Sequence, residues 1–456
     1  MKSVLRRFKV GMAAVLIVLV ASCEKDYLYE DPVSDPTSTL EAVLVTTPPA
    51  TVNAAYWKTA DYLKINASNV SQQHTYSDGF LNLTGTYNGL ASFNNGTNPE
   101  FTLKAAYDQD NLYILAEWID SDVDASNSSW LFNGPSDPNK SDTTNGWTSQ
   151  RNCDKVAFAF EINAASGPAG TFSAVGCAAA CHTNTGVPVM YPVSGKVDIW
   201  NWSLATSAPL GFAHDMVASS TGFSADNDQL MYARNAAGPT SRSGPAYEWD
   251  GSSQKKTLPS GVSTILDPGF YLLNKTPFTG DTQKGDYIYH HTGVDTSSGK
   301  CESCHGINGI GGEASALTHI SLNKKSRSSL ITAMANVADM DPYWSPLTST
   351  EKNDIVAYLR GLSGVPGYYL SNPSGSTADI TAVANITPVN ILNALNPSTN
   401  KHTKYRVLIT RKLKTNNGDD VQFDPPAKNT YKFGVALMDN DGINHIGSLI
   451  ETLTFK

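Results

Sequence analysis

Phe101-Thr102-Leu103-Lys104-Ala105-Ala106-Tyr107 and Leu112-Tyr113-Ile114-Leu115-Ala116-Glu117-Trp118-Ile119 are two apolar runs joined by Asp108-Gln109-Asp110-Asn111. Their partial alternation suits strands, and the four joining residues are of the kinds that tight turns accept. The stretch therefore predicts a β-hairpin. Val156-Ala157-Phe158-Ala159-Phe160-Glu161-Ile162 reads as another buried strand, and Tyr405 to Leu413, Tyr431 to Met438 and Gly447 to Phe455 extend the set. Long loops of Asn, Ser, Gly and Asp separate the runs. The pattern predicts a mainly β chain, a β-sandwich rather than an α/β fold.

The character changes near residue 280. Ser328 to Ala335 and Glu351 to Leu362 read as helices. Thr348 and Glu351 stand at capping-box spacing, and Ile355, Val356 and Leu359 share one face. The predicted organisation is a β-domain over 46–279 and 381–456, interrupted by an all-α block over 280–366 and a Ser/Gly/Asn linker over 367–380. No tandem repeat of 20–50 residues interrupts this plan.

That helical block carries Cys301-Glu302-Ser303-Cys304-His305, the Cys-x-x-Cys-His signature of a covalently attached c-type haem. Two thiols three positions apart lie on one side of a helical turn and reach both vinyl groups of one porphyrin. His305 then falls under the ring as an iron ligand. Half a zinc site is the rival reading, but no second Cys pair stands at zinc-ribbon spacing. A looser copy, Cys177-Ala178-Ala179-Ala180-Cys181-His182, has one more residue between its thiols. Positions four apart also share a helix face, so a second haem on Cys177 and Cys181 with His182 on the iron is feasible; a disulfide is the alternative.

The chain starts with a basic region (Lys2, Arg6, Arg7, Lys9), an apolar stretch from Val10 to Val20, and small residues, the pattern of an export signal. The apolar stretch is short for a membrane span of about 20 residues. Val20-Ala21-Ser22-Cys23 resembles a bacterial lipobox, which implies cleavage after residue 22 and acylation of Cys23. Residues 23–45 would then be a tether rich in Asp, Pro, Ser and Thr. The expected location is the cell envelope, lipid-anchored at the periplasmic face or the outer membrane. Attachment of c-type haem outside the cytoplasm agrees with this. The 456 residues carry a formal net charge of −9 and no long basic run, which argues against a nucleic-acid partner. Cys153, opening an apolar strand, reads as a buried inert thiol.

Residues 280–365 resemble a class I cytochrome c domain. The resemblance rests on Gly285-Asp286-Tyr287-Ile288-Tyr289, on Cys301 to Gly306, on Met340-Asp341-Pro342 with Leu347-Thr348, and on Ala357-Tyr358-Leu359. It implies His305 as fifth ligand and Met340 as sixth, with Met334 the competitor. The stretch His290 to Lys300 is longer than the family pattern. The flanking β-regions resemble the haem-binding domain of the ethylbenzene dehydrogenase gamma subunit and its c-type relatives. The carrying residues are Trp57 in Ala55 to Ala60, Gly195-Lys196-Val197-Asp198-Ile199-Trp200-Asn201-Trp202, Asp215, Arg411-Lys412-Leu413 with Asp419-Asp420-Val421, and Phe433 to Asn440. That resemblance implies a β-sandwich holding haem at one end. His182 would be the fifth ligand there, and Met190 or His445 the sixth, with His445 favoured.

Together these readings predict a dihaem c-type cytochrome lipoprotein, an electron carrier and not an enzyme, working with other redox proteins and with a membrane through its lipid anchor. The alternatives are a peroxidase-like or nitrogen-oxide-reducing haem enzyme, and an electron-transfer subunit docked on a molybdenum oxidoreductase.

Overall fold

The computed structural model describes residues 36–65, 73–78, 83–88, 101–120, 123, 125–132, 134, 146–167, 170–181, 192–226, 231–237, 244–251, 271–291, 301–306, 309, 311, 314, 325–390, 401–438, 445–448 and 450–456. The predicted signal, Cys23, His182 and Met190 lie outside these residues.

The protein is mainly β, as the hairpin predicts. One sheet of 15 strands dominates. The strands of its main path are β1 (Leu40–Leu44), β2 (Phe101–Tyr107), β3 (Asn111–Asp120), β4 (Lys155–Gly167), β5 (Ser194–Ser203), β6 (His214–Ser219), β7 (Gly222–Ala225), β8 (Ile380–Asn390), β9 (Lys401–Lys412), β10 (Thr430–Met438) and β11 (Glu451–Phe455). Their order is β7-β6-β5-β4-β10-β11-β1-β2-β3-β9-β8. The last strand of the path, β8, meets the segment that leads into β6. Phe212 bridges to Thr381, the Ala213 N–H donates to the Ile380 carbonyl at 3.0 Å, and the Ala382 N–H donates to the Gly211 carbonyl at 3.0 Å.

The predicted hairpin is β2 paired with β3. Asp108 closes its turn, accepting from the Asn111 N–H at 2.7 Å. The apolar face of the sheet folds around one core. Trp118 of β3 and Trp202 of β5 are far apart along the path, yet their rings lie 6.2 Å apart. Trp118 also stacks on Tyr405 of β9 at 4.7 Å. Phe158, Phe160, Trp200, Phe423 and Phe433 fill the same core. Side chains of this size stabilise by roughly 2–3 kcal/mol each when fully buried. The sheet also takes in part of the stretch assigned to the tether. β1 pairs in parallel with β11 and β2, because Leu40 and Ala42 alternate inward and are wholly buried. The predicted last strand, Gly447 to Phe455, is two pieces: His445–Gly447, paired with β10, and β11.

Among the described residues the helices are α1 (Tyr56–Thr59), α2 (Phe172–Cys181), α3 (Thr282–His291), α4 (Cys301–His305), α5 (Arg327–Ala335), α6 (Asp341–Trp344) and α7 (Ser349–Ser363). Five of them fall between β7 and β8 in the chain. The predicted capping box forms. The Thr348 hydroxyl accepts from the Glu351 N–H at 3.2 Å, and the Glu351 carboxylate accepts from the Thr348 N–H at 2.7 Å. α3 crosses α7 at Gly285, where a Cβ would collide with the Asp354 carbonyl. Glycine there is what allows the two helices to touch. Phe132, Tyr289, Leu330, Met334, Trp344, Ile355 and Tyr358 form the core of this region. Arg327 and Arg360 tie it to the strand Tyr247–Glu248: Arg327 makes two 2.6 Å hydrogen bonds to the Glu248 carboxylate, and Arg360 Nε lies 3.1 Å from it. Among the described residues no helix is long and apolar enough to cross a membrane.

Candidate functional site

α4 is the Cys-x-x-Cys-His pentapeptide itself, a single helical turn. Cys301 is half-buried against the apolar cluster of α3, α5 and α7, Cys304 is exposed, and His305 is half-buried. Met340, at the N-cap of α6, packs against the same cluster as Cys301. Two residues predicted to serve one haem, an attachment thiol and the axial methionine, thus share one apolar environment. Met334, the competitor, is buried in the middle of that cluster on α5. A thiol pair on one turn, an adjacent imidazole and a thioether against one apolar wall are the donor set that a c-type haem takes.

The Cys301–His305 turn is held from outside by His290. Its Nδ1 lies 2.7 Å from the Glu302 carboxylate inside the pentapeptide. Its Nε2 faces Asp286 at 3.1 Å and the Tyr358 hydroxyl at 3.3 Å. Tyr289 donates to the Gly306 carbonyl at 2.9 Å, directly after His305. Burial pushes the Tyr289 and Tyr358 hydroxyls far above their ordinary range, so both remain neutral donors. Burial also raises the Asp286 carboxyl, against the lowering effect of His290. His291 is exposed and stacks on Tyr287 at 4.2 Å. His290 instead joins three helices. The signal for it was the i, i+4 spacing of Asp286 and His290, which puts carboxylate and imidazole on one face.

Cys177 and Cys181 lie on α2, after a break at Gly176 (φ 82°, ψ 174°). Both therefore belong to the same stretch beyond the break. α2 packs on the outer face of β4 and β10, its Phe172 and Ala180 against Ala159, Val197 and Ile199. The outer face is lined with small residues. Ala157 stands opposite Ala436, and Ala159 opposite Gly434; Ala436 stands opposite Gly447. His445 pairs with Met438 in the same register, and the two-residue period puts position 445 on that face too. These small residues lie beside the Cys-bearing helix, and position 445 is at the border of the stretch. His214 is buried and hydrogen-bonded through Nε2 to Thr206 at 2.9 Å, a structural placement.

Cys153 is buried as expected, with its Sγ 3.0 Å from the Ser203 hydroxyl. Burial raises its thiol pKa, so the inert protonated form is favoured.

Sequence reasoning named Asp198, Asp215, Arg411 and Asp420 only as carriers of resemblance. The structure brings them together. Arg411 Nη2 lies 3.1 Å from both Asp198 and Asp420, and all four are essentially buried. The guanidinium sits over the Trp200 ring at 5.0 Å. The available signal was a lone aspartate at a core-facing position of the apolar run Val197 to Trp202.

The sequence profile of the ethylbenzene dehydrogenase family matches residues 54–300, more than half of the chain. No curated protein matches it.

Proposed function

The chain belongs to the ethylbenzene dehydrogenase family, and on that premise we propose that it is an exported, lipid-anchored dihaem c-type cytochrome that carries electrons. The observation that supports this most is the α4 turn, with Cys301 and Met340 against one apolar cluster and His305 beside them. In this reading Cys301 and Cys304 would form the thioethers, and His305 and Met340 would supply the iron ligands. Bound in this way, haem supplies one-electron transfer without an open coordination site. Tyr289, Trp344 and Leu359 exclude water from the apolar side, and the thioether of Met340 favours the reduced iron.

The second site is read in the same terms. Cys177 and Cys181 would attach the porphyrin, and His182 would ligate the iron together with His445 rather than Met190. The small-residue floor of Ala157, Ala159, Gly434 and Ala436 supports this assignment, as does the position of 445 on that face. The finer architecture proposed is a β-sandwich haem domain interrupted by an all-α cytochrome c domain. The proposed partners are other redox proteins. Family membership also favours one particular partner, a molybdenum oxidoreductase on which this chain docks as the electron-transfer subunit.

Absorption spectroscopy of the purified ferric and ferrous protein tests the reading. Two low-spin haems that exchange electrons with an added soluble cytochrome are expected. High-spin ferric bands together with peroxide or nitrogen-oxide turnover would instead establish the haem-enzyme alternative.

A further inference from the structure

Asp198, Asp215 and Asp420 place carboxylate oxygens within 4.8 Å of one another, and all three residues are buried. Asp198 is on β5, Asp215 on β6, and Asp420 in the loop after β9. Asp215 stands opposite Trp200, on the inward face. It is 1% exposed, and neither of its carboxylate oxygens has a hydrogen-bond partner among the described residues. The Oδ1 atoms of Asp198 and Asp420 are likewise without one. Their Oδ2 atoms are engaged: Asp198 accepts from the Val421 N–H at 2.9 Å, and both lie against Arg411. One guanidinium balances one carboxylate of the three. Asp226 and Asp419 extend the acidic group through Asp420. An isolated ionised carboxylate costs far too much in an apolar core to persist without compensation.

We propose that Asp198, Asp215 and Asp420 bind a hard divalent cation, of which Ca²⁺ is the best fit, in the interior of the β-domain. The donor set is all oxygen, which suits Ca²⁺ and disfavours metals that prefer sulfur or imidazole. Oxygens bound to one Ca²⁺ at about 2.4 Å are separated by no more than about 4.8 Å, so the spacing matches a single ion. Asp215, whose carboxylate has no hydrogen-bond partner among the described residues, brings an oxygen within 4.8 Å of oxygens of Asp198 and Asp420, where the single Arg411 guanidinium faces three carboxylates. The ion would join β5 and β6 to the loop that follows β9, across the two sides of the core. It therefore stabilises the sheet that carries α2, and the site stands independently of any haem chemistry.

Metal analysis and melting of the purified, haem-loaded full-length protein test this, after chelator treatment and dialysis against CaCl₂ or MgCl₂. One Ca²⁺ retained per chain is expected, with an upward shift of the thermal midpoint on the order of 5 °C at a hundredfold excess over Kd. Mg²⁺ should give a smaller shift. Asp215→Asn should abolish the Ca²⁺ response, and Asp424→Asn, which removes an exposed carboxylate paired with Lys414, should leave it intact. Asp420→Asn serves as the second variant should Asp215→Asn fail to fold. No retained Ca²⁺ with unchanged melting would overturn the proposal in favour of shared protons. An undiminished response in either cluster variant would overturn it in favour of adventitious surface binding.

Discussion

The Nδ1 of His290 lies 2.7 Å from the Glu302 carboxylate, so the last turn of α3 is fastened to the middle of the Cys-x-x-Cys-His turn. His290 also reaches Asp286 and Tyr358. The imidazole therefore ties α4 to α3 and α7. His290→Ala should loosen that turn. The expected cost is roughly 1–2 kcal/mol, reduced from a fully buried charged hydrogen bond because both side chains are partly exposed. Denaturant unfolding of the haem-loaded protein measures it, and haem occupancy should fall in parallel. Unchanged stability and occupancy would remove the positioning role.

If Met340 ligates a haem held by Cys301 and Cys304, as proposed, Met340→Ala should leave the haem attached and remove one iron ligand. A lower reduction potential follows from loss of thioether ligation. Added imidazole should then bind and restore a low-spin spectrum. Met334→Ala should instead lower stability by roughly 2–4 kcal/mol through a core cavity while leaving the potential nearly unchanged. The reverse pattern would make Met334 the ligand.

Glu248 holds two guanidinium groups, those of Arg327 and Arg360, and Glu248 and Arg360 are almost wholly buried. Glu248→Gln keeps the shape and removes the charge. Stability should drop by roughly 3 kcal/mol, because the cost of a broken buried pair comes from the cations left behind. The loss should be seen as a lowered unfolding midpoint, and simultaneous Arg327→Gln should recover part of it.

Glu117 on β3 shows how the sheet responds to acid. Burial pushes its carboxyl pKa upward, but Lys404, Arg406 and Lys104 outweigh that and hold it below the ordinary value. A depressed folded-state pKa means that the unfolded chain binds the proton more readily. The stabilisation is present above the unfolded carboxyl pKa of about 4.3 and is lost as pH falls through the folded value. The unfolding midpoint should therefore decline in this acid window, and Glu117→Gln should flatten that part of the decline. An unchanged pH profile in the variant would exclude this group as a source.

Much of this arrangement was legible in the sequence where local chemistry and tertiary structure agree. The β2–β3 hairpin follows from apolar runs around Asp108 to Asn111, and α7 follows from Thr348 and Glu351. The spacing of Cys301, Cys304 and His305 was legible as one helical turn, and the structure shows that turn. Other features depended on long-range pairing. Leu40 to Leu44 looks like part of a polar leader until β11, at the far end of the chain, supplies its parallel partner. His290 is a surface residue on its own helix and becomes a clamp only when Glu302 and Tyr358 arrive from two others. Asp198, Asp215, Arg411 and Asp420 are scattered over more than two hundred positions, and only the folded sheet makes them one buried charge cluster.

The intact mass of the mature protein under denaturing conditions tests the central claim most directly, because a thioether survives unfolding. The predicted result is the polypeptide carrying two haem masses, reduced to one in the Cys177→Ser/Cys181→Ser double variant and to the other in Cys301→Ser/Cys304→Ser. A polypeptide that carries no haem mass would contradict the account.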